Sequence, residues 1–318
     1  MAALEEIIDE EMYEMEELRR VRIPRIVPKD RSDPFHYLSG YGIPLHLKML
    51  VTLRYLATGS FLLTVADIMD IAKSSACSAV GEVVQLIAFL APDYIKFPQP
   101  EEARQMASKF YDIAGMPGVL GYIDCTHISI QSPGGNNVEM YRCREGFYSL
   151  NVQGICDSEL KFMHVVASWP GSVHDSRIFS NCRICHLLEQ GDYSGLYLLG
   201  DSGYPSREYL LTPLLTPRTE KHRRYNVAHI QTRNCIERAF GVLKRRFACL
   251  SIPLRTKLPN TKRIVIACAV LHNIAISRRV DMLDVEVEAQ EVVDLLEDED
   301  EHELDATQVR ESLIQRWF

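Results

Sequence analysis

Four acidic residues stand where their side chains could share one site. Asp124 lies inside an apolar, strand-like run, Asp201 lies just past another, Glu237 borders the apolar stripe of a long predicted helix, and Asp175 opens a helix. A carboxylate buried in a strand is costly unless a cation, hydrogen bonds or a shifted pKa compensates it. Converging carboxylates suit Mg²⁺ or Mn²⁺ better than zinc. Two such ions about 4 Å apart would orient a water and stabilise the leaving oxygen in an attack on phosphorus.

Each acid alone also has a simpler explanation. Asp175 could cap its helix, Glu237 could pair with Arg233 one turn back, and Asp201 could begin a turn. Their joint placement near one end of a single predicted sheet favours the catalytic interpretation.

The elements that would position these acids follow from the change of hydrophobic period along the chain. Residue types typical of strands fill four short runs, at 119–130, 148–156, 162–169 and 196–199. The short polar connection 157–161 predicts an antiparallel pair. Helical patterns cover 175–188, 227–247 and 261–279. The order of three strands, helix, strand and helix predicts an α/β fold with a mixed sheet.

A helical pattern also fills 43–117, ahead of the first strand. Thr64 with Asp67 three residues on is typical of a capping box, and Ser74 is a candidate cap for a further helix. Short helices joined by a tight turn indicate a helix-turn-helix-like subdomain. Residues 75–90 contain no Lys or Arg, so a helical subdomain that only packs on the next domain is an equal alternative to a DNA reader.

Charge divides the chain into a basic body and two acidic ends. Residues 1–18 hold eight acidic and no basic residues, and 281–318 hold fourteen acidic and two basic residues. Residues 19–280 hold 33 basic and 21 acidic residues, a net charge of +12. This pattern favours a polyanionic partner, although acidic ends also serve solubility. We expect 1–42 to be an acidic lead with a basic linker, and the acidic tail 281–318 to be disordered.

Composition excludes several other classes of protein. No apolar run reaches about 18 residues, the length needed to span a bilayer, so no membrane association is expected. The acidic beginning is unlike a secretory signal, and the nine cysteines lack the spacing of a disulfide framework, which predicts an intracellular protein. Cys182 and Cys185 stand beside His186, but no second pair lies at zinc-finger distance.

The sequences around the acids resemble those of PIF/Harbinger transposases, which are DDE superfamily endonucleases, and in particular their host-domesticated nucleases. The matching motifs are Ile-Asp-Cys-Thr-His around Asp124, Leu-Gly-Asp-Ser-Gly-Tyr around Asp201 and Ile-Glu-Arg-Ala-Phe-Gly around Glu237. The last two acids are separated by 35 residues, 202 to 236, a spacing typical of this superfamily. Residues 169–175 and the Leu-His-Asn at 271–273 resemble the same family.

This resemblance implies a ribonuclease H-like catalytic core at 118–280 and divalent-metal nuclease chemistry. Asp124, Asp201 and Glu237 would be the catalytic triad, and Asp175 a further ligand of Mg²⁺ or Mn²⁺. The resemblance also implies a separate Myb/SANT-like partner protein that carries DNA binding and nuclear import, and a location in nucleus and cytoplasm.

Basic residues near the predicted triad are candidates for contact with DNA phosphates, which would add affinity without specifying a base. A solvated helix face is the alternative. The candidates are Arg218, Lys221, Arg223, Arg224, Arg233, Arg238 and Lys244.

The leading hypothesis is thus a transposase-derived endonuclease that hydrolyses DNA phosphodiester bonds with divalent metal. The alternative is a catalytically silent DNA- or protein-binding scaffold that retains the fold. A phosphatase on a similar sheet is disfavoured by the spacing from Asp201 to Glu237 and by the basic body.

Overall fold

A computed structural model of the chain describes residues 43–280 and 303–318, with side chains from 307 onward in the second range. The predicted lead and linker, 1–42, and the acidic stretch 281–302 lie outside the described residues.

A five-stranded mixed sheet forms the centre of the described fold, which confirms the predicted α/β class. Its spatial order is β3-β2-β1-β4-β5; β1 pairs antiparallel with β2 and β2 with β3, whereas β1 pairs parallel with β4 and β4 with β5. The strands are β1 (Val119–Ser129), β2 (Ser149–Cys156), β3 (Phe162–Pro170), β4 (Tyr197–Leu199) and β5 (Leu210–Leu211).

The polar connection between β2 and β3 closes the predicted antiparallel pair. One carboxylate oxygen of Asp157 accepts hydrogen bonds from the backbone N–H groups of Glu159 at 2.8 Å and Lys161 at 2.9 Å. The side chain thereby satisfies backbone donors that the turn would otherwise leave unpaired.

Helices cover both faces of the sheet. They are α1 (Leu45–Thr58), α2 (Leu62–Ile68), α3 (Lys73–Phe89), α4 (Ala91–Tyr94), α5 (Pro100–Ala114), α6 (Asp175–Ser180), α7 (Arg183–Glu189), α8 (Glu220–Arg246), α9 (Leu258–Ser277) and α10 (Glu303–Trp317).

Alternation along β1 divides the core into two layers. Tyr122 belongs to the apolar cluster shared with α8, α9 and the first helices, whereas Ile123 belongs to the cluster shared with α6 and α7. Successive side chains of a strand point to opposite faces, so each layer takes every second residue of β1. Asp124 follows the parity of Tyr122 and faces α8.

The first helices confirm the predicted helical character of 43–117, but their ends differ from the prediction. α2 begins at Leu62 with Phe61 as N-cap, so Thr64 lies inside the helix and forms no capping box. α3 begins at Lys73, which places Ser74 in its first turn rather than at its cap. Leu62 packs against the core, and this packing outweighs the local capping preference.

Two further helix predictions require correction. The helix expected over 175–188 is two helices, because the side-chain amide of Asn181 donates to the carbonyl of Arg177 at 2.7 Å and α6 ends there. The long helix begins at Glu220 rather than 227, since Thr219 caps it through a hydrogen bond from the His222 N–H. Its first turns are polar and carry little apolar signal.

The prediction of a disordered tail over 281–318 is wrong for its last part, which forms α10. Ile314 is fully buried, and Arg310 donates to the hydroxyl of Thr212 at 3.1 Å. The ring of Phe318 lies 5.8 Å from that of Tyr225 on α8. Apolar residues at helical spacing thus anchor a segment whose overall acidity indicated disorder. None of the described helices is long and apolar enough to cross a membrane.

Replacing Ile314 with Ala should lower the free energy of unfolding by about 2–4 kcal/mol, because it leaves a cavity between α10 and the core. Thermal or denaturant unfolding measures the change, with Ser312→Ala as an exposed control on the same helix. Equal stability of the Ile314→Ala variant and the unchanged chain would mean that α10 does not dock in solution.

Candidate active site

The parallel pairing of β1 with β4 aligns two of the predicted acids. Tyr122 pairs with Leu199 in this register, and Asp124 and Asp201 each stand two positions further along their chains. Extending the register therefore places the carboxylate of Asp124 on β1 next to that of Asp201, which lies two residues past the end of β4. This edge, where β4 ends, is where sheet proteins commonly open their ligand sites.

Helix α8 brings the third acid to the same face. Near its middle, the ring of His229 lies 5.7 Å from the ring of Tyr122; near its end, Lys244 Nζ donates to Thr126 Oγ1 at 2.7 Å. Tyr122, Asp124 and Thr126 share one face of β1, so α8 runs along Asp124 between these contacts. Glu237 lies on that intervening stretch of α8.

Gly154 makes room for this approach. It is the β2 partner of Asp124, and a Cβ at this position would lie 2.9 Å from Cζ of Phe240 on α8. The ring of Phe240 in turn packs 5.4 Å from that of Phe162 on β3. The absence of a side chain at Gly154 lets α8 sit directly over the strand pair.

Arg233 lies among the acids rather than in solvent. Its Nε is 2.9 Å from Oε1 of Glu237, and the two side chains are 28% and 19% exposed. Among the described residues this Nε has no hydrogen bond of good geometry, so the contact is an ion pair without aligned donor and acceptor. The pairing that sequence analysis offered as the simpler explanation for Glu237 is present.

Burial and neighbouring negative charges raise the pKa values of Asp124 and Asp201. Burial, followed by the charge of Asp201, raises the pKa of Asp124 to about 7, against the lowering effect of Arg233. Burial is also the largest cause of the raised pKa of Asp201, to which the charge of Asp175 adds. The face thus carries more negative charge than its single buried guanidinium balances.

Backbone donors hold both strand carboxylates in place. Oδ1 of Asp124 accepts from the N–H of Cys125 at 2.7 Å, and Oδ1 of Asp201 accepts from the N–H of Gly203 at 3.0 Å. No backbone N–H of the described residues donates to the other oxygen of either carboxylate, which leaves lone pairs for a cation.

Asp175 sits apart from the triad, on the other face of the sheet. Its Oδ1 accepts from Nδ2 of Asn151 at 2.7 Å, and the same amide donates to the carbonyl of Val173 at 2.8 Å. Asn151 shares its face with Cys125 and His127, opposite Asp124. The charge of Asp175 raises the pKa values of both Asp201 and Asp124. The structure therefore brings Asp124, Asp201 and Glu237 to one face and holds Asp175 at Asn151 on the other.

The donor chemistry of this face fits a hard divalent cation, because it offers carboxylate oxygens whose mutual repulsion a cation would relieve. The side chains do not form a complete coordination site. Within 43–280 and 303–318, no group of three or more His, Cys, Asp or Glu side chains is placed so that it could hold a metal ion. Glu237 is directed to Arg233 instead.

Some of the side chains predicted to contact phosphates are exposed, and others contact groups of the protein itself. Arg218, Arg223, Arg224 and Arg238 are exposed. Lys221 donates to the carbonyl of Gln315 on α10 at 2.5 Å. Two others are internal, because Arg233 lies among the acids and Lys244 reaches Thr126, where burial lowers its pKa.

Two residues of the site escaped sequence analysis. The hydroxyl of Tyr122 is buried without a hydrogen-bond partner among the described residues, and its pKa is raised by burial and by Asp124, Asp201 and Glu237. Asn151 orients Asp175. The period-2 alternation of β1 could have placed Tyr122 beside Asp124, whereas nothing local marks Asn151.

Two described cavities lie away from these acids. One of about 610 Å³ lies between α10 and β4, lined by Tyr197, Leu313 and Trp317, and one of about 220 Å³ is lined by Tyr94, Met106 and others.

Comparison with known proteins identifies the family. Residues 123–273 match the family model described as DDE superfamily endonuclease, a span that contains all four acids. The human protein named "Putative nuclease HARBI1" is 35% identical over 239 residues, which cover 74% of this chain and 68% of the human one. The chain belongs to the Harbinger-derived DDE nuclease family.

Other relatives match a similar share of the chain. The mouse protein of the same name is 35% identical over 279 residues, 85% of this chain and 79% of its own. A protein of Arabidopsis thaliana named "Protein ALP1-like" is 28% identical over 274 residues, 80% of this chain and 66% of its own. No solved structure shows a significant match to this Harbinger-derived chain.

Replacing Asp124 with Asn should stabilise the metal-free protein at pH 8 by about 1–3 kcal/mol, because a neutral amide removes the repulsion from Asp201. Asp124 binds its proton more tightly when folded than when unfolded. Its ionisation therefore costs stability as pH rises from about 4 through about 7. The advantage of the variant should accordingly shrink as pH falls from 7 towards 4.

Chemical denaturation across this pH range measures the effect, with the exposed Asp192→Asn as control. A variant less stable than the unchanged chain at pH 8 would contradict the electrostatic description of the site.

Proposed function

We propose that the chain is a divalent-metal-dependent endonuclease that hydrolyses DNA phosphodiester bonds at Asp124, Asp201 and Glu237. The observation that carries this proposal is the register of β1 and β4, which, extended by two positions, brings the half-buried Asp124 and Asp201 next to each other, with Glu237 nearby on α8. Buried like charges are costly, so their juxtaposition points to use by a cation.

We further propose that the catalytic core is ribonuclease H-like, as the resemblance implies. The strand order and the change from antiparallel to parallel pairing at β1 support this. In this arrangement the acids come from the central strand, from the end of its parallel neighbour and from a helix across the same face.

In this proposal the acidic residues of the chain bind the metal ion and hold it in position. Asp124 and Asp201 present carboxylate oxygens fixed by the N–H groups of Cys125 and Gly203, and Glu237 completes the donor set from α8. A bound Mg²⁺ or Mn²⁺ supplies Lewis-acid stabilisation of the charge that develops at phosphorus. Asp175 is held by Asn151 through one oxygen, Oδ1, and its other oxygen could contribute to the metal site.

DNA would approach along the exposed basic residues of α8 and the segment before it. Arg218, Arg224 and Arg238 are exposed there, and their charges attract a polyanion. From Ser74 onward α3 carries no Lys or Arg, so it offers little to base edges or phosphates. A separate Myb/SANT-like partner that supplies DNA binding, and a location in nucleus and cytoplasm, belong to the same proposal.

The catalytically silent scaffold is the second candidate, and a specific observation favours it. Glu237 is held by Arg233, and the described residues present no group of three ligands placed for a metal ion. A protein that had lost turnover would need no such group.

Cleavage of labelled duplex DNA with Mg²⁺ or Mn²⁺ distinguishes the two candidates. Asp201→Asn should abolish cutting, because it removes the carboxylate at the end of β4, while the fold measured by circular dichroism stays unchanged. The assay should run with and without the Myb-like partner. Absence of cutting under both conditions, together with unchanged metal binding in Asp201→Asn, would favour the scaffold.

Replacing the exposed Arg224 with Gln should weaken duplex DNA binding and reduce the slope of log affinity against log salt by about 1, since one phosphate contact is lost. Fluorescence anisotropy at several salt concentrations measures this. Arg104→Gln, an exposed residue on α5, is the control. Equal slopes for both variants would place the DNA elsewhere.

A further inference from the structure

A half-buried cation, Arg233, already lies on the acidic face. Arg233 lies one helical turn before Glu237 on α8. Its guanidinium interacts electrostatically with Asp124, Asp201 and Glu237. Burial lowers the pKa of this guanidinium, but Tyr122 and the three acids outweigh burial and raise it. Arg233 therefore stays charged and supplies positive charge where the triad needs it.

The contact with Glu237 has the properties of an exchangeable pair. The Nε and Oε1 atoms are 2.9 Å apart, yet this Nε makes no aligned hydrogen bond among the described residues. A bidentate Arg–carboxylate pair would be stronger and more specific. The attraction is thus mainly one of charge, which a divalent cation at the same carboxylates would match or exceed.

With Arg233 in this place, no three ligands in the described ranges converge for a metal ion. Glu237 is paired with the guanidinium of Arg233 rather than grouped with the other two acids around a metal position. The guanidinium that offsets the charge of Asp124 and Asp201 is thus also the partner of the third acid.

We propose that Arg233 is a built-in counter-ion of the catalytic face, which takes the place of the divalent cation in the metal-free protein and must release Glu237 when the cation binds. This inference rests on the proposed metal-dependent function and describes how that site is regulated. Arg233 is then a positioning residue, and it competes with metal instead of assisting it.

A direct consequence concerns affinity. If Arg233 and the metal ion compete for the same carboxylates, neutralising Arg233 removes the competitor and exposes the repulsion between the acids. Metal should then bind more tightly, and the metal-free protein should become less stable. A residue that merely supported Glu237 would give the opposite result for metal binding.

Isothermal titration with Mn²⁺ alone, in the absence of DNA, tests the proposal on the full chain. Arg233→Gln should bind Mn²⁺ about tenfold more tightly than the unchanged chain, within the range typical of coupled sites, and should melt at a lower temperature without metal. Arg233→Lys keeps the charge and should bind as the unchanged chain does. Arg104→Gln removes an exposed charge from α5 and should also change little.

The outcomes separate this inference from the function on which it rests. Binding by the unchanged chain with equal or weaker binding by Arg233→Gln would overturn the counter-ion role and leave the nuclease proposal standing. Absence of Mn²⁺ binding in every variant would overturn both.

A second measurement observes Arg233 itself in the unchanged chain. The Nε–Hε resonance of Arg233, assigned with Arg233→Lys, should shift when Mg²⁺ is added to the unchanged chain, and should stay constant in Asp201→Asn. A constant resonance in the unchanged chain while Mg²⁺ binds would show that Arg233 does not move.

Discussion

Repulsion between two carboxylates, one on β1 and one just past the end of its parallel neighbour β4, shapes the centre of this molecule. Extending the pairing of β1 with β4 places Asp124 and Asp201 at equivalent positions, and partial burial weakens the screening of their charges by water. Such an arrangement persists only if neighbouring groups compensate it. Backbone N–H groups hold one oxygen of each acid, and Arg233 supplies positive charge from α8.

The two layers of the fold have different parts in this compensation. On one face α8 lies close to the sheet because Gly154 leaves space for Phe240, and it carries both Arg233 and Glu237. On the other face α6 presents Asp175, which is held by Asn151. Glu237 therefore shares a face with Asp124 and Asp201, whereas Asp175 acts on both of them by its charge from the opposite face.

Much of this arrangement was predictable because period and spacing are local signals. The first four strands of the sheet follow from alternation of apolar and polar residues. The motifs identify Asp124 on β1, Asp201 just past β4 and Glu237 on α8. The two-residue strand β5 was missed because so short a run carries no period. The break between α6 and α7 depends on one side-chain hydrogen bond of Asn181, and α10 depends on a docking surface far away in sequence. For Arg233 the sequence left two alternatives open, a contact with DNA and a pair with Glu237 one turn on, because it shows the charge and spacing of this residue but not its partial burial among the acids.

We propose above all that the face of Asp124, Asp201 and Glu237 is a cation site, and that Arg233 balances its negative charge until a metal ion binds. A crystal structure of the full chain soaked in Mn²⁺, with anomalous scattering to locate the ion, tests it most directly. The account predicts an ion bound between Asp124 and Asp201, with Glu237 turned to it and away from Arg233. An ion bound at Asp175 or at Cys182 and His186 instead, with the pair of Arg233 and Glu237 intact, would contradict it.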